Sequence, residues 1–176
     1  DLAMSLNNLA AFLSEVGERE EALKTAREAT GLYRDLVEKS PATYKPGLAM
    51  SLTTLANHLS EAGERDEALE VAREAVHLRR DLVKVSPAAY TPDLAMSLSN
   101  LANRLLEVGE RDEALEAARE APARHRGLVK GSPAAYKTHL APSVTNPAIR
   151  LTAEGGPGGE RAGSEGGGDG DAGTSR

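Results

Sequence analysis

The side chains with the most chemical capacity in this 176-residue chain are four histidines, a recurring block of acids and arginines, and a run of glycines near the C-terminal end. No two of His58, His77, His125 and His139 stand at metal-ligand spacing on one helix face, and zinc needs three or four convergent donors, so no metal site is expected. Glu64, Arg65, Asp66, Glu67, Glu70, Arg73 and Glu74 recur in each copy of the unit defined below, except that the first copy has Glu20 and Lys24 in place of Asp66 and Glu70. Charges opposite an apolar stripe read as a solvated helix face with pairs three or four residues apart. Repetition itself argues against catalysis, because a reaction centre is one constellation. The glycines precede no Gly-Lys-Ser/Thr triplet, so they form no phosphate loop. The run Gly166 to Asp171 lacks the tandem copies and interleaved apolar residues of a calcium-binding repeat, and low complexity accounts for it. Cysteine is absent, which excludes disulfides, thiolate metal sites and thiol catalysis. The reading is therefore non-enzymatic, with no cofactor.

Charge and hydropathy narrow the partners. Lys and Arg number 21 against 27 acids, a net charge of -6, whereas a nucleic-acid protein needs a basic face to neutralise phosphates. No apolar run approaches the roughly 18 to 20 residues that cross a bilayer, and the start lacks the basic and apolar blocks of a signal peptide. No nucleic acid and no membrane are expected as partners, and the expected location is cytoplasmic.

What positions these residues is a repeat. Leu2, Ala3, Met4, Ser5 and Leu6 return at 48–52 and again at 94–98, a period of 46. One unit of this size cannot bury its apolar face alone, so stacked neighbours must share a core. Leu48, Leu52, Leu55, Ala56 and Leu59 fall at steps of three and four and predict a first helix, A. Gly63 stands where a residue free to adopt positive φ closes that helix. Ala68, Leu69, Ala72, Ala75, Val76, Arg79 and Leu82 predict a second helix, B, with acids in its first turn where they complement the helix dipole. Helix B is expected to run toward Ser86 and end at a loop around Pro87, with Thr91 as the next N-cap and Pro92 at the first helical position.

The unit resembles a tetratricopeptide repeat. Leu52, Leu55, Ala56, Leu59, Gly63, Ala68, Ala72 and Ala75 stand at the family's signature positions. They recur as Leu6, Leu9, Ala10, Leu13, Gly17, Ala22, Ala26 and Ala29, and as Leu98, Leu101, Ala102, Leu105, Gly109, Ala114, Ala118 and Ala121. The resemblance implies an all-α fold, an α-solenoid of tandem helix-turn-helix hairpins. The family's unit is about 34 residues. The 12 extra here are expected in a longer helix B and a loop around Tyr44, Tyr90 and Tyr136, and Leu and Ala fill the family's aromatic positions. With the run Leu6 to Ala10, the longer unit is similar to the repeats of kinesin light chains and of large bacterial signalling proteins.

The expected organisation is repeat 1 at 1–46, repeat 2 at 47–92, repeat 3 at 93–138, a degenerate fourth helix A at 139–154 and a disordered glycine-rich tail at 155–176. Pro122 replaces Val76 in the third helix B, and an interior proline costs about 3 kcal/mol, so a kink or early stop is expected near Ala121. Asp1 lies directly at the start of a helix A, as in the terminal fragment of a longer array.

In the family, helix A residues facing away from helix B line a concave channel for peptides. By this resemblance the channel here comprises Met4, Asn7, Asn8, Ala11 and Ser14, then Met50, Thr53, Thr54, Asn57 and Ser60, then Met96, Ser99, Asn100, Asn103 and Leu106. Asn can pair bidentately with a peptide backbone and Met adapts to different shapes. The same residues also suit a bland reading, Met as packing between repeats and Asn as solvated filler. No lysine occupies these positions, and Glu15, Glu61 and Glu107 edge the channel, which favours a neutral or basic peptide over an acidic tail. The leading reading is a protein-binding scaffold. Its alternatives are a regulatory or sensor segment of a larger signalling protein, packed against an ATPase or protease domain, and a structural remnant that self-associates through the uncapped N-terminal repeat.

Overall fold

The computed structural model describes residues 2–131, with side chains except at position 122 and positions 124–131. The expected fourth helix A at 139–154, the tail at 155–176, Tyr136, His139 and the side chain of His125 lie outside the described residues. The described chain is six helices and no strand: α1 (Leu2–Glu15), α2 (Arg19–Lys39), α3 (Pro41–Glu61), α4 (Arg65–Val85), α5 (Pro87–Val108) and α6 (Arg111–Gly131). Each packs on the next in sequence, and α1 also touches α3, as α3 touches α5. This is the tandem hairpin stack of an α-solenoid, with α1, α3 and α5 as the A helices and α2, α4 and α6 as the B helices.

The A-to-B turns follow the sequence reading. Gly17, Gly63 and Gly109 have φ of 89°, 84° and 90°. In the second turn the Glu64 amide donates to the Leu59 carbonyl at 2.9 Å and the Gly63 amide to the Ser60 carbonyl at 3.0 Å, a pairing that satisfies the carbonyls left over at the end of α3. The same two bonds recur at Glu18 and Gly17, and at Glu110 and Gly109.

The B-to-A junctions differ from expectation. No loop surrounds Pro87: Ser40 and Ser86 alone separate α2 from α3 and α4 from α5, and Pro41 and Pro87 occupy the first helical position. Tyr44 and Tyr90 are therefore helical, and the expected boundaries at 46/47 and 92/93 fall inside α3 and α5. Thr91 is not an N-cap. It is buried in the second turn of α5, where its hydroxyl donates to the Pro87 carbonyl at 2.7 Å. Pro46 and Pro92 lie inside these helices. A proline there removes one amide donor and crowds the carbonyl four residues back. Those carbonyls belong to the solvent-exposed Ala42 and Ala88 in the opening turn, which lessens the penalty. The extra length of the unit thus extends helix A as well as helix B.

Early termination near Ala121 is not found either, since α6 continues past Pro122 to Gly131. Ala114, Ala117, Ala118 and Ala121 are buried against α5, and that packing outweighs the loss of one helical hydrogen bond.

The core is built of leucine and alanine. Leu52, Leu59, Leu94, Leu98 and Leu105 are fully buried between Ala22, Ala26, Ala68, Ala72, Ala102 and Ala118, whose small side chains let neighbouring helices approach. One position at each junction between repeats varies its chemistry. Between α2 and α3, buried Tyr33 fills the space over Gly47, where an added Cβ would lie 2.4 Å from the ring. One period on, the same positions hold Arg79 and Asp93, a buried guanidinium donating to a half-exposed carboxylate.

Candidate partner-binding face

The A helices form the closely spaced side of the stack. Ser51 on α3 donates to Asn7 on α1 at 3.0 Å and pairs with Thr30 on α2 at 2.9 Å, while Arg104 on α5 reaches the Ala56 carbonyl on α3 at 3.4 Å. The B helices are bridged by long side chains instead. Arg27 on α2 pairs with Glu64 and Glu67, Arg34 with Glu74, Arg73 with Glu113 and Arg80 with Glu120, all at 2.7 or 2.8 Å. Beneath the last two lies a gap of about 450 Å³ between α4 and α6, floored by Leu98, Leu101 and Leu105 of α5. The wider spacing of the B helices makes theirs the outer side and the A-helix side the inner one.

These outer ion pairs correct the sequence reading of pairs three or four residues apart. Acceptors for Arg34, Arg73 and Arg80 stand 40 residues away, on the next B helix. Within the helices the close acid–base pairs are Lys24 with Glu21, Lys84 and His77 with Asp81, Arg104 with Glu107 and His58 with Glu61. The signal was present in the sequence as two registers that each repeat once per period, but only stacking reveals that they meet.

The predicted channel residues share one stripe of the A helices. Met4, Met50 and Met96 are exposed, as are Asn8 and Ala11. Ser14, Thr53, Thr54, Asn57, Ser60, Ser99, Asn100, Asn103 and Leu106 are half-buried, with surface left for a ligand. The methionines keep 39–59% of their surface exposed, which leaves them open to a ligand. Asn7 is the exception. It is 4% exposed because it faces α3, accepting from Ser51, with its Nδ2 buried and unpartnered. Its place is in the packing between repeats and not on the accessible channel.

The acidic edge is held by a second ladder, which sequence reasoning missed. Ser14 donates to Glu61 at 2.9 Å and Ser60 to Glu107 at 2.8 Å, each reaching from one A helix to the next. His58 also approaches Glu61 at 3.3 Å, and Arg104 pairs with Glu107 at 3.0 Å. Burial acts to raise the Glu61 pKa, but the hydrogen bonds from Ser14 and His58 and the charges of His58 and Arg19 outweigh it, leaving the carboxyl below its ordinary value. Glu61 is therefore ionised at neutral pH. Among the described residues no three His, Asp, Glu or Cys side chains converge on a metal position, and no helix is long and apolar enough to cross a membrane.

Comparison with known protein families agrees with the hairpins one by one. The tetratricopeptide repeat model matches three times, over residues 2–41, 48–87 and 94–131, each match opening on a helix A and including the helix B that follows. The chain belongs to the tetratricopeptide repeat family, whose arrays mediate protein–protein interaction. No curated protein matches the chain.

Proposed function

We propose that this array is a non-enzymatic, cytoplasmic interaction scaffold that holds an extended peptide segment of a partner along the inner faces of α1, α3 and α5. The observation that carries this reading is the recurrence of one accessible stripe, Met50 with Thr53 and Asn57, then Met96 with Ser99, Asn100 and Asn103, opening into Met4 and Asn8. Methionine provides an adaptable apolar contact and the amides pair with an extended backbone. The acidic side chains Glu61 and Glu107 on the same side favour neutral or basic peptides over acidic ones.

The test is affinity capture with the wild type, an Asn57→Ala/Asn103→Ala variant and an outer-face Glu70→Ala variant. The expected result is a neutral or basic partner retained by wild type and Glu70→Ala and lost by the double variant. Equal capture by all three, or capture of an acidic C-terminal peptide lost on Asn57→Ala, refutes the assignment.

A further inference from the structure

The outer side of the stack holds a slot whose walls the preceding repeat does not copy. It is the gap of about 450 Å³ between α4 and α6, with Val76, Leu101 and Ala117 in its apolar lining. The ion pairs Arg73–Glu113 and Arg80–Glu120 cross it seven residues apart on each helix, which is about 10 Å along the axis. One period earlier, between α2 and α4, Thr30 and Val71 take the places of Val76 and Ala117. Thr30 carries a hydroxyl, bonded to the Ala26 carbonyl and to Ser51, and Val71 has two methyl groups more than Ala117. The α4–α6 slot is thus roomier at one wall and more apolar at the other. Its size falls within the roughly 300 to 1,000 Å³ of small-molecule sites, in which an apolar lining carries a few placed polar groups.

One acid in the slot is left over. In the register of the outer ladder Val76 stands between the donors Arg73 and Arg80, and the residue 40 positions on is Glu116, between the acceptors Glu113 and Glu120. Glu116 therefore lies across from a valine where its neighbours lie across from arginines. It lines the slot, is exposed, and its carboxylate has no ion pair or hydrogen bond among the described residues, Arg119 three positions on included. The rim carries two guanidinium groups against three carboxylates, one negative charge in excess beside an apolar floor.

We propose that this slot binds a small organic cation, an ammonium group carried on an aromatic or branched hydrocarbon body. The body lies on Leu101 between Val76 and Ala117, and the ammonium donates to the Glu116 carboxylate. A bare inorganic cation gains little here, since one carboxylate above hydrocarbon does not replace its hydration shell. Anions of the same shape are disfavoured by Glu116, and the two arginines are already held by their own glutamates. Because α4, α5 and α6 each supply part of the slot, an occupant ties the third hairpin to the second. The slot lies on the side opposite the inner channel and does not depend on the peptide-binding reading.

Titration calorimetry on the full chain tests this, with phenylbutylammonium as the probe and phenylbutanoate, the same body on a carboxylate, as its control. The wild type is expected to bind the ammonium saturably at a single site and the carboxylate about tenfold more weakly or less. Glu116→Gln should weaken binding of the ammonium about fivefold, the equivalent of one exposed ion pair. Ala117→Val should abolish it with helical content unchanged, because the same place one period earlier already accommodates Val71. Glu70→Gln, the matching register of the α2–α4 gap, should leave binding as in the wild type. No saturable binding by the wild type, or equal binding of the two probes, overturns the proposal. So does undiminished binding by Ala117→Val with its helices intact. A loss on Glu70→Gln as large as on Glu116→Gln also overturns it, since that is the mark of attraction to an acidic surface with no site.

Discussion

Tyr33 and Arg79 occupy one position in successive repeats, and they show how differently one junction can be filled. The Tyr33 ring needs the absence of a side chain at Gly47, while Arg79 needs the carboxylate of Asp93. Burial lowers the Arg79 pKa, the charge and hydrogen bond of Asp93 oppose that change, and the guanidinium remains cationic. Replacing Gly47 with Ala should cost about 1 to 3 kcal/mol in a denaturation experiment, the price of forcing the ring aside. Arg79→Tyr should destabilise the α4–α5 junction, and adding Asp93→Gly should recover most of the loss, because the pair then copies Tyr33 over Gly47. A double variant no better than the single would show that the two junctions are not equivalent. Glu61 carries a pH signature. Its folded-state pKa is lowered, so its contribution is present above the ordinary carboxylate value of 4.5 and disappears as pH falls through the folded value. The difference in thermal midpoint between wild type and Glu61→Gln should therefore be largest near neutral pH and shrink on acidification; a constant difference contradicts the Ser14–Glu61–His58 arrangement.

At the level of elements, the helices were legible where their rules are local. Steps of three and four among Leu48, Leu52, Leu55 and Leu59 specify α3, and Gly63 specifies its end. Gly63→Ala should destabilise the array by about 1 kcal/mol, the cost of a side chain at positive φ. The starts of α3 and α5 were not legible, because Pro46 and Pro92 mimic first-turn prolines while a second proline sits five residues earlier, at the true first position. The outer ladder was hidden for another reason. A separation of 40 residues has no meaning until the period of 46 is known to place successive B helices side by side. Its energetic share is small: Arg73→Ala should cost about 0.2 to 1 kcal/mol at low salt and nearly nothing in concentrated salt. A loss that persists in salt would mean that the arginine stem, packed over the gap above α5, matters more than its charge.

Across the whole molecule, repetition separates what holds the stack from what it offers to others. Residues that recur and are buried, such as Leu52 and Leu98 or Ala72 and Ala118, are the shared core. Residues that recur and remain accessible on the inner side are the candidate site, and sequence alone located the stripe but not the burial of Asn7, which depends on how closely α3 approaches α1. The three methionines of the chain all lie in that stripe and all are exposed, so they report on the channel with no added probe. Peroxide oxidation of Met4, Met50 and Met96, followed by mass spectrometry with and without a peptide captured by the wild type, is the most direct measurement. Bound peptide should slow oxidation of Met50 and Met96 severalfold. Unchanged rates at all three, with the peptide demonstrably bound, would place the partner elsewhere and contradict the inner-face account.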